Sequence, residues 1–319
     1  MIALPDVLDA AARIEGLVRT TPVMEVDPSG FVPRGSGLPA RMWLKLELTQ
    51  HTGSFKARGA LNRVLAAAEE GAIPEAGVVA ASGGNAGLAV AYAAAQAGTR
   101  AEVFVPETAP PVKVAKLRAL GASVVQVGVK YADAYEAAMK RVEDAGALFC
   151  HPYDQPAMCA GAGTLALELL EQTGSEVDTV LLAVGGGGLM AGVAAALEGR
   201  ATVVGVEPAN APTLNAALRA RKPVDVDVSG VAADSLGAGR LGEIAYAVAA
   251  RTGVRSVLVT DDAIAEARRR VWDEYRLVVE HGTAAAVAAL RTGAYRPRAG
   301  ERVAILLCGA NTDPGDLVT

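Results

Sequence analysis

The chain has 319 residues, 51% of them hydrophobic but only 4% aromatic, and a formal net charge of −5. That length suits roughly two domains of ordinary size, and apolar content drawn so heavily from Ala and Val predicts small-residue cores with close helix–sheet packing. Acidic and basic residues are interspersed with no basic block or basic-aromatic stripe, which excludes nucleic acid as the expected partner, and an acidic chain has little reason to seek a membrane surface.

The N-terminal stretch MIALPDVLDAAARIEG lacks the basic start and apolar core of a signal peptide and reads as an amphipathic helix near Asp6–Leu17, which Pro22 stops. Phe31–Ala40, with Pro33, Gly35, Gly37 and Pro39, reads as a loop before a strand at Met42–Leu48. This strand delivers the chain to HTGSFKARGA, where Lys56 opens a helical stretch, Ala57–Ala68. A lysine there lies near the positive end of a helix dipole, a poor place for a cation. Partial burial beside Phe55 pushes the same way, and a lysine that yields its proton easily can serve as nucleophile, Schiff-base partner or general base. On these residues alone, a solvated lysine in the first turn of a surface helix remains the alternative.

Beyond Lys56, short β-branched or apolar runs at Gly77–Ala81, Ala101–Val105, Ser123–Val127, Thr179–Val184, Thr202–Val206, Arg255–Val259 and Val303–Leu307 alternate with Ala-rich helical segments. This is the pattern of parallel sheets covered by helices on both faces, an α/β protein without fixed repeats. Two uncharged runs, Gly77–Thr99 and Thr179–Leu197, are long enough to resemble membrane spans, but central glycine clusters break each into strand, loop and helix. The alternation breaks at Ala147–Pro156, ALFCHPYDQP, before a long helix at Ala157–Gln172. If the chain crosses between domains here, 71–149 forms a small α/β unit inserted between 1–70 and 150–319, which together form a large one. One continuous doubly wound sheet is the alternative that periodicity leaves open.

Three strands end in glycine, the arrangement by which open parallel sheets bind ligands beyond their carboxyl edges. Val78–Ala81 leads to Ser82-Gly83-Gly84-Asn85, a set of hydroxyl, amide and backbone N–H groups that could hold a carboxylate. Thr179–Val184 leads to Gly185-Gly186-Gly187-Gly188-Leu189, a nest suited to a phosphate. Val303–Leu307 leads to Cys308-Gly309-Ala310-Asn311, placing a thiol and an amide at the same edge. Each could be only a tight turn. Together, a lysine nucleophile, a phosphate nest and a carboxylate cradle are the parts a pyridoxal phosphate enzyme needs around an amino acid. The cysteines Cys150, Cys159 and Cys308 are odd in number with no C-x-x-C pair, which points to a reducing compartment, the cytoplasm.

In this order, GLVRTTPV, TGSFKARGA, SGGNAG, CHPYDQP followed by GAGTLALE, GGGGLMAG, GVEP and CGAN resemble the fold-type-II pyridoxal phosphate enzymes of tryptophan synthase β-like architecture. Within them the chain resembles the serine/threonine dehydratases, or threonine ammonia-lyases, over nearly its whole length. The resemblance implies two open parallel-sheet α/β domains with the active site between them, a homodimer, and pyridoxal 5'-phosphate bound through Lys56 with Phe55 beside its ring. It further implies that Gly185, Gly186, Gly187, Gly188 and Leu189 hold the phosphate, Asn85 bonds the ring hydroxyl and Cys308 faces the pyridine nitrogen. Ser82, Gly83, Gly84 and Asn85 would take the substrate carboxylate, Lys56 would act as base at Cα, and Glu280 would stand nearby. The implied reaction is β-elimination from L-threonine or L-serine to a 2-oxo acid and ammonia.

Two departures from the family pattern bear on specificity. Ala86 stands where many relatives have histidine, which implies room for a bulkier 3-hydroxy amino acid. Gly83 stands where racemases of the family place a serine, so efficient racemisation is not expected. Glu207 of GVEP marks a cation site in some members, but Pro212 and Thr213 stand where a second carboxylate would be wanted; no metal is expected, and His51, His151 and His281 are too dispersed for zinc. The chain ends soon after its last strand, so no isoleucine-responsive regulatory domain is expected. Three rival readings remain: a nicotinamide dehydrogenase, from Gly186-x-Gly188-x-x-Ala191 with Glu207 at the end of the next strand; a binding module that holds the cofactor without turnover; and a β-replacement synthase. The first leaves TGSFKARGA and SGGNAG without a role, and the last usually carries a different lysine motif.

Overall fold

The computed structural model describes residues 1–33 and 37–317, so Gly35 of the expected loop lies outside the described residues. Pro5 occupies the first turn of helix α1 (Leu4–Ile14), where its missing N–H is no loss. The Asp6 carboxylate accepts the Ala3 amide at 2.7 Å, and Val7, Ala10 and Ile14 bury one face. Strand β1 (Val23–Val26) pairs antiparallel with β2 (Arg41–Lys45). The expected strand to Leu48 stops at Lys45 because the chain then coils through two 3-10 turns, Glu47–Thr49 and His51–Gly53, that aim Glu47 inward.

Helix α2 (Lys56–Glu69) follows, then β3 (Val78–Ala81), α3 (Asn85–Gln96), β4 (Ala101–Val105), α4 (Pro111–Ala119), β5 (Ser123–Gln126), α5 (Tyr131–Ala145) and β6 (Leu148–Phe149). The second half comprises α6 (Pro156–Gln172), β7 (Thr179–Ala183), α7 (Gly188–Ala196), β8 (Thr202–Pro208), α8 (Thr213–Ala220), α9 (Glu243–Thr252), β9 (Arg255–Val259), α10 (Asp261–Tyr275), α11 (His281–Arg291) and β10 (Arg302–Leu306). Two sheets result, not one: a six-stranded sheet ordered β1-β2-β10-β7-β8-β9 and a four-stranded sheet ordered β5-β4-β3-β6. Apart from the β1–β2 pair, neighbouring strands run parallel, so each sheet gathers its carboxyl ends on one edge.

The four strands of the smaller sheet all fall between Val78 and Phe149. Helix α2 precedes them, yet it packs Ala60, Leu61 and Val64 into the same core as Val78, Ala80 and the buried alanines of α3. The Ala-rich composition is explained by helices buried on every side: all nine residues of α7 are buried, as are Gly282–Leu290 of α11. Where α6 crosses α7, a Cβ on Gly192 would overlap the Cys159 carbonyl, so glycine sets how closely these helices approach.

A buried ionic cluster ties the N-terminal segment to α2 and α6. Arg58 donates to Glu47 at 2.7 and 2.9 Å and to Glu168 at 2.6 Å, while Lys45 donates to Glu168 at 2.7 Å. Thr21 completes it by donating its hydroxyl to Glu47 at 2.6 Å. Buried charges persist only when paired in this way.

Candidate active site

Lys56 is the first residue of α2, and its approach is fixed by backbone contacts with the end of β10. Thr52 and Gly53 turn the chain through positive φ (62° and 76°), Ser54 bridges to Gly309, and the Phe55 amide donates to the Cys308 carbonyl at 3.0 Å. The Lys56 ammonium lies 5.0 Å from the Phe55 ring centroid and donates to the Pro152 carbonyl at 2.6 Å. Burial lowers its pKa to about 8, against the opposing influence of Cys159, Cys308 and Glu280. Lys56 lines one small cavity with Phe55, Pro152, Tyr153, Gly188 and Leu189.

The glycine run bends into that cavity. Gly187 takes φ 87° as the N-cap of α7, and no side chain caps this helix. The loop's carbonyls are tied backwards: Gly185 accepts from the Thr213 hydroxyl at 2.5 Å and Gly186 from the Gly242 amide at 3.0 Å. Uncapped amides at the positive end of a helix are an anion site. A Cβ on Gly186 would run into the Tyr153 ring and one on Gly187 into Ala245 and Leu241, so side chains are excluded from this loop.

At the edge of the smaller sheet, the Ser82 hydroxyl accepts the Gly84 amide at 3.2 Å, and Asn85 opens α3. The Asn85 side-chain amide donates to Glu280 at 2.8 and 3.1 Å, and its oxygen accepts from Asn311 at 2.6 Å. Asn311 also donates to the Thr52 carbonyl at 2.6 Å, and its backbone amide reaches Glu280 at 2.9 Å. Asn85 and Asn311, read from the sequence as separate strand-end groups, thus meet around a carboxylate that burial holds above its ordinary pKa. One proton of the Asn85 amide remains for a ligand.

Cys308 is buried, with its sulfur 3.2 Å from the Thr283 hydroxyl. Burial pushes its thiol up to about 12, so it stands in the site as a neutral group. Ser54 Oγ and Thr52 Oγ1, flanking the approach to Lys56, are buried without a hydrogen-bond partner.

Of the residues singled out in the sequence, the structure brings Lys56, Phe55, Gly188 and Leu189 to one cavity; the sequence did not point to the Pro152 carbonyl, Tyr153, Thr213, or Asn311 as the group that fixes Asn85. The break in the strand–helix alternation at HPYDQP was the available signal for the first two. Two of the histidines have structural work: the His51 ring stacks 4.7 Å from Tyr92, and His151 Nδ1 accepts the amides of Tyr153 and Asp154 at 3.2 and 2.8 Å. The Glu207 carboxylate is taken up by the start of α8, accepting Leu214 and Asn215 amides at 2.6 and 2.9 Å and the Ser256 hydroxyl at 3.2 Å. Among the described residues, no helix is long and apolar enough to cross a membrane.

Residues 14–309 match the family model described as pyridoxal-phosphate dependent enzyme. A phenylserine dehydratase of Ralstonia pickettii is 38% identical over 97% of this chain and 94% of its own length. An L-threonine ammonia-lyase of Thermotoga maritima is 34% identical over 98% of this chain and 76% of its own. Among solved structures, serine racemase from Dictyostelium discoideum superposes with a TM-score of 0.88 at 30% identity, covering 98% of this chain and 99% of that one.

Proposed function

The chain belongs to the pyridoxal-phosphate-dependent enzymes, and from that premise we propose that Lys56 and the three glycine-bearing strand ends carry out β-elimination in the cleft between the two sheets. The protein is a pyridoxal phosphate-dependent lyase acting on hydroxy amino acids; L-threonine and L-serine are the substrates we assign first. The observation that carries the site is the Lys56 amine, with its lowered pKa, in one cavity with the uncapped start of α7.

The residues present fit the cofactor. Lys56 would hold it through its amine, the amides of Gly185, Gly186, Gly187, Gly188 and Leu189 would hold its phosphate, and Asn85 and the neutral thiol of Cys308 would meet its ring. Ser54 Oγ is a buried hydroxyl still without a partner beside this position. When bound, the cofactor supplies an electron sink for the pair released at the substrate α-carbon. A neutral thiol is a weak proton donor, so it leaves that sink moderate, which favours elimination over transamination.

The protein's own residues do the rest. The Ser82 hydroxyl and the amides of Gly83 and Gly84 bind the substrate carboxylate. Freed when the substrate's amine takes its place, the Lys56 amine, kept easy to deprotonate by burial, removes the Cα proton. The β-hydroxyl departs as water, and the released enamine hydrolyses to a 2-oxo acid and ammonia. Gly83 offers no acid on the opposite face of Cα, which restricts racemisation. We place the enzyme in the cytoplasm, consistent with its three free buried cysteines, and expect it to act as a homodimer. The test is 2-oxo acid release from L-threonine and L-serine by wild type and Lys56→Ala, followed with the cofactor's visible absorbance. Loss of both in the variant is expected; undiminished turnover would remove Lys56 from the mechanism.

A further inference from the structure

We propose that the cleft carries a subsite for an aromatic group on the substrate β-carbon, walled by Tyr153 and Tyr131. This rests on the β-elimination reading above and names its substrate class.

Aromatic rings are scarce in this chain, with 4 Phe, 7 Tyr and 2 Trp among 319 residues. Yet Tyr131, Tyr135, Phe149, His151 and Tyr153 form one continuous run, with successive centroids 6.2, 5.8, 6.1 and 4.6 Å apart. One end of the run is in the active site. Tyr153 lines the Lys56 cavity, packs against Gly186, and reaches the Arg240 carbonyl with its hydroxyl at 3.4 Å. The other end lies at the sheet edge that holds Ser82–Asn85, because Tyr131 is the first residue of α5 and so stands at the carboxyl ends of the smaller sheet's strands.

Tyr131 is 52% exposed, and Val129 and Val112, at the same edge, are 66% and 62% exposed. Large apolar groups gathered at a cleft mouth are poorly used unless a ligand covers them. The hydroxyls of Tyr131 and Tyr153 also feel one another, since the charge of one would raise the pKa of the other. On the other side, Ala86 sets only a methyl group beside Asn85. A substrate held by its carboxylate at Ser82–Asn85 and by its α-carbon at Lys56 turns its β-substituent toward the remaining wall. A phenyl group there would offer the Tyr153 ring an aromatic partner that the methyl of threonine does not. The chemistry is unchanged: 3-phenylserine loses its Cα proton and β-hydroxyl as water, and hydrolysis gives phenylpyruvate and ammonia without net oxidation.

The experiment compares kcat/KM of the holoenzyme for L-threo-3-phenylserine and L-threonine in wild type, Tyr153→Ala, Tyr153→Phe and Tyr131→Ser. A preference for phenylserine is expected; it should fall about tenfold in Tyr153→Ala and about threefold in Tyr131→Ser, and persist in Tyr153→Phe. Because Tyr153 also supports the glycine loop, a second measurement reads the subsite without turnover. This is the ratio of dissociation constants for L-phenylalanine and L-2-aminobutyrate, taken from the shift of the cofactor's visible band, and it should move with the same variants. Turnover of threonine without preference for phenylserine, or ratios unmoved by both alanine and serine variants, would overturn the subsite and leave β-elimination standing. Release of no 2-oxo acid from either substrate would instead sink β-elimination, and the ligand ratio would still decide the subsite.

Discussion

Lys45 and Lys56 are both withdrawn from water, and they are treated oppositely. Lys45 is fully buried and places its three ammonium protons on the Thr21 carbonyl at 2.9 Å, Glu168 at 2.7 Å and Gln172 at 2.8 Å. Lys56 has one hydrogen-bond partner, the Pro152 carbonyl, and neighbours that are mostly neutral thiols. In both, burial is the largest influence and lowers the pKa. The difference lies in what answers the charge. Around Lys45 and Arg58 each donor has a fixed acceptor, so the cluster braces α2 from below; at the head of the same helix, acceptors are withheld and the amine is left available for chemistry.

The contrast can be broken most severely from either side. Lys56→Ala should lower 2-oxo acid formation by about a thousandfold or more while the unfolding midpoint changes little, since a half-buried lysine with one hydrogen bond adds little to stability. Arg58→Met should do the reverse. It strands the Glu47 carboxylate in the core and should cost about 3–5 kcal/mol in denaturant unfolding, with the surviving folded fraction retaining most of its kcat. Loss of activity from Arg58→Met at unchanged stability would mean that the two regions are not separable.

A pH titration sharpens the same point. Lys56 has its folded pKa lowered from 10.5 to about 8, so its amine is mostly neutral above pH 8. The rate at which cofactor-free protein captures pyridoxal phosphate should therefore rise about tenfold per unit below that value and level off above it. A profile that keeps climbing toward pH 10 would show an ordinary, solvated lysine.

Smaller effects are expected from the groups that orient the site. Asn311→Ala removes the donor to Asn85 Oδ1 and to the Thr52 carbonyl, and should weaken cofactor binding about tenfold, read by equilibrium dialysis of the visible band. The smallest concerns stereochemistry. A Cβ on Gly83 would lie 3.4 Å from Val105 Cγ1, an acceptable contact, so Gly83→Ser should fold and introduce a low but measurable formation of D-serine from L-serine by chiral chromatography.

Much of the molecule was readable before folding. Strands Ala101–Val105 and Arg255–Val259 both match their expected runs residue for residue, the first because an inner parallel strand is largely buried and apolar, the second, at the sheet edge and partly exposed, because its Val-Leu-Val end still carries the strand pattern. Lys56 stood out for a local reason too, a cation placed at the wrong end of a helix. Strand β1 escaped notice because a four-residue edge strand carries little pattern of its own, and β6 because its two residues gain strand geometry only by pairing with β3.

The sequence by itself determined the α/β alternation, the placing of Lys56 at the head of a helix and the three glycine-bearing strand ends, since each is written in residues adjacent along the chain. Only the tertiary structure decided that there are two sheets, that Asn311 and Glu280 orient Asn85, that Thr213 holds the carbonyl of Gly185, and that Tyr153 shares the cavity of Lys56. These relations join residues far apart in the chain. Their energies come from burial and from hydrogen bonds closed across that separation, which no local pattern encodes.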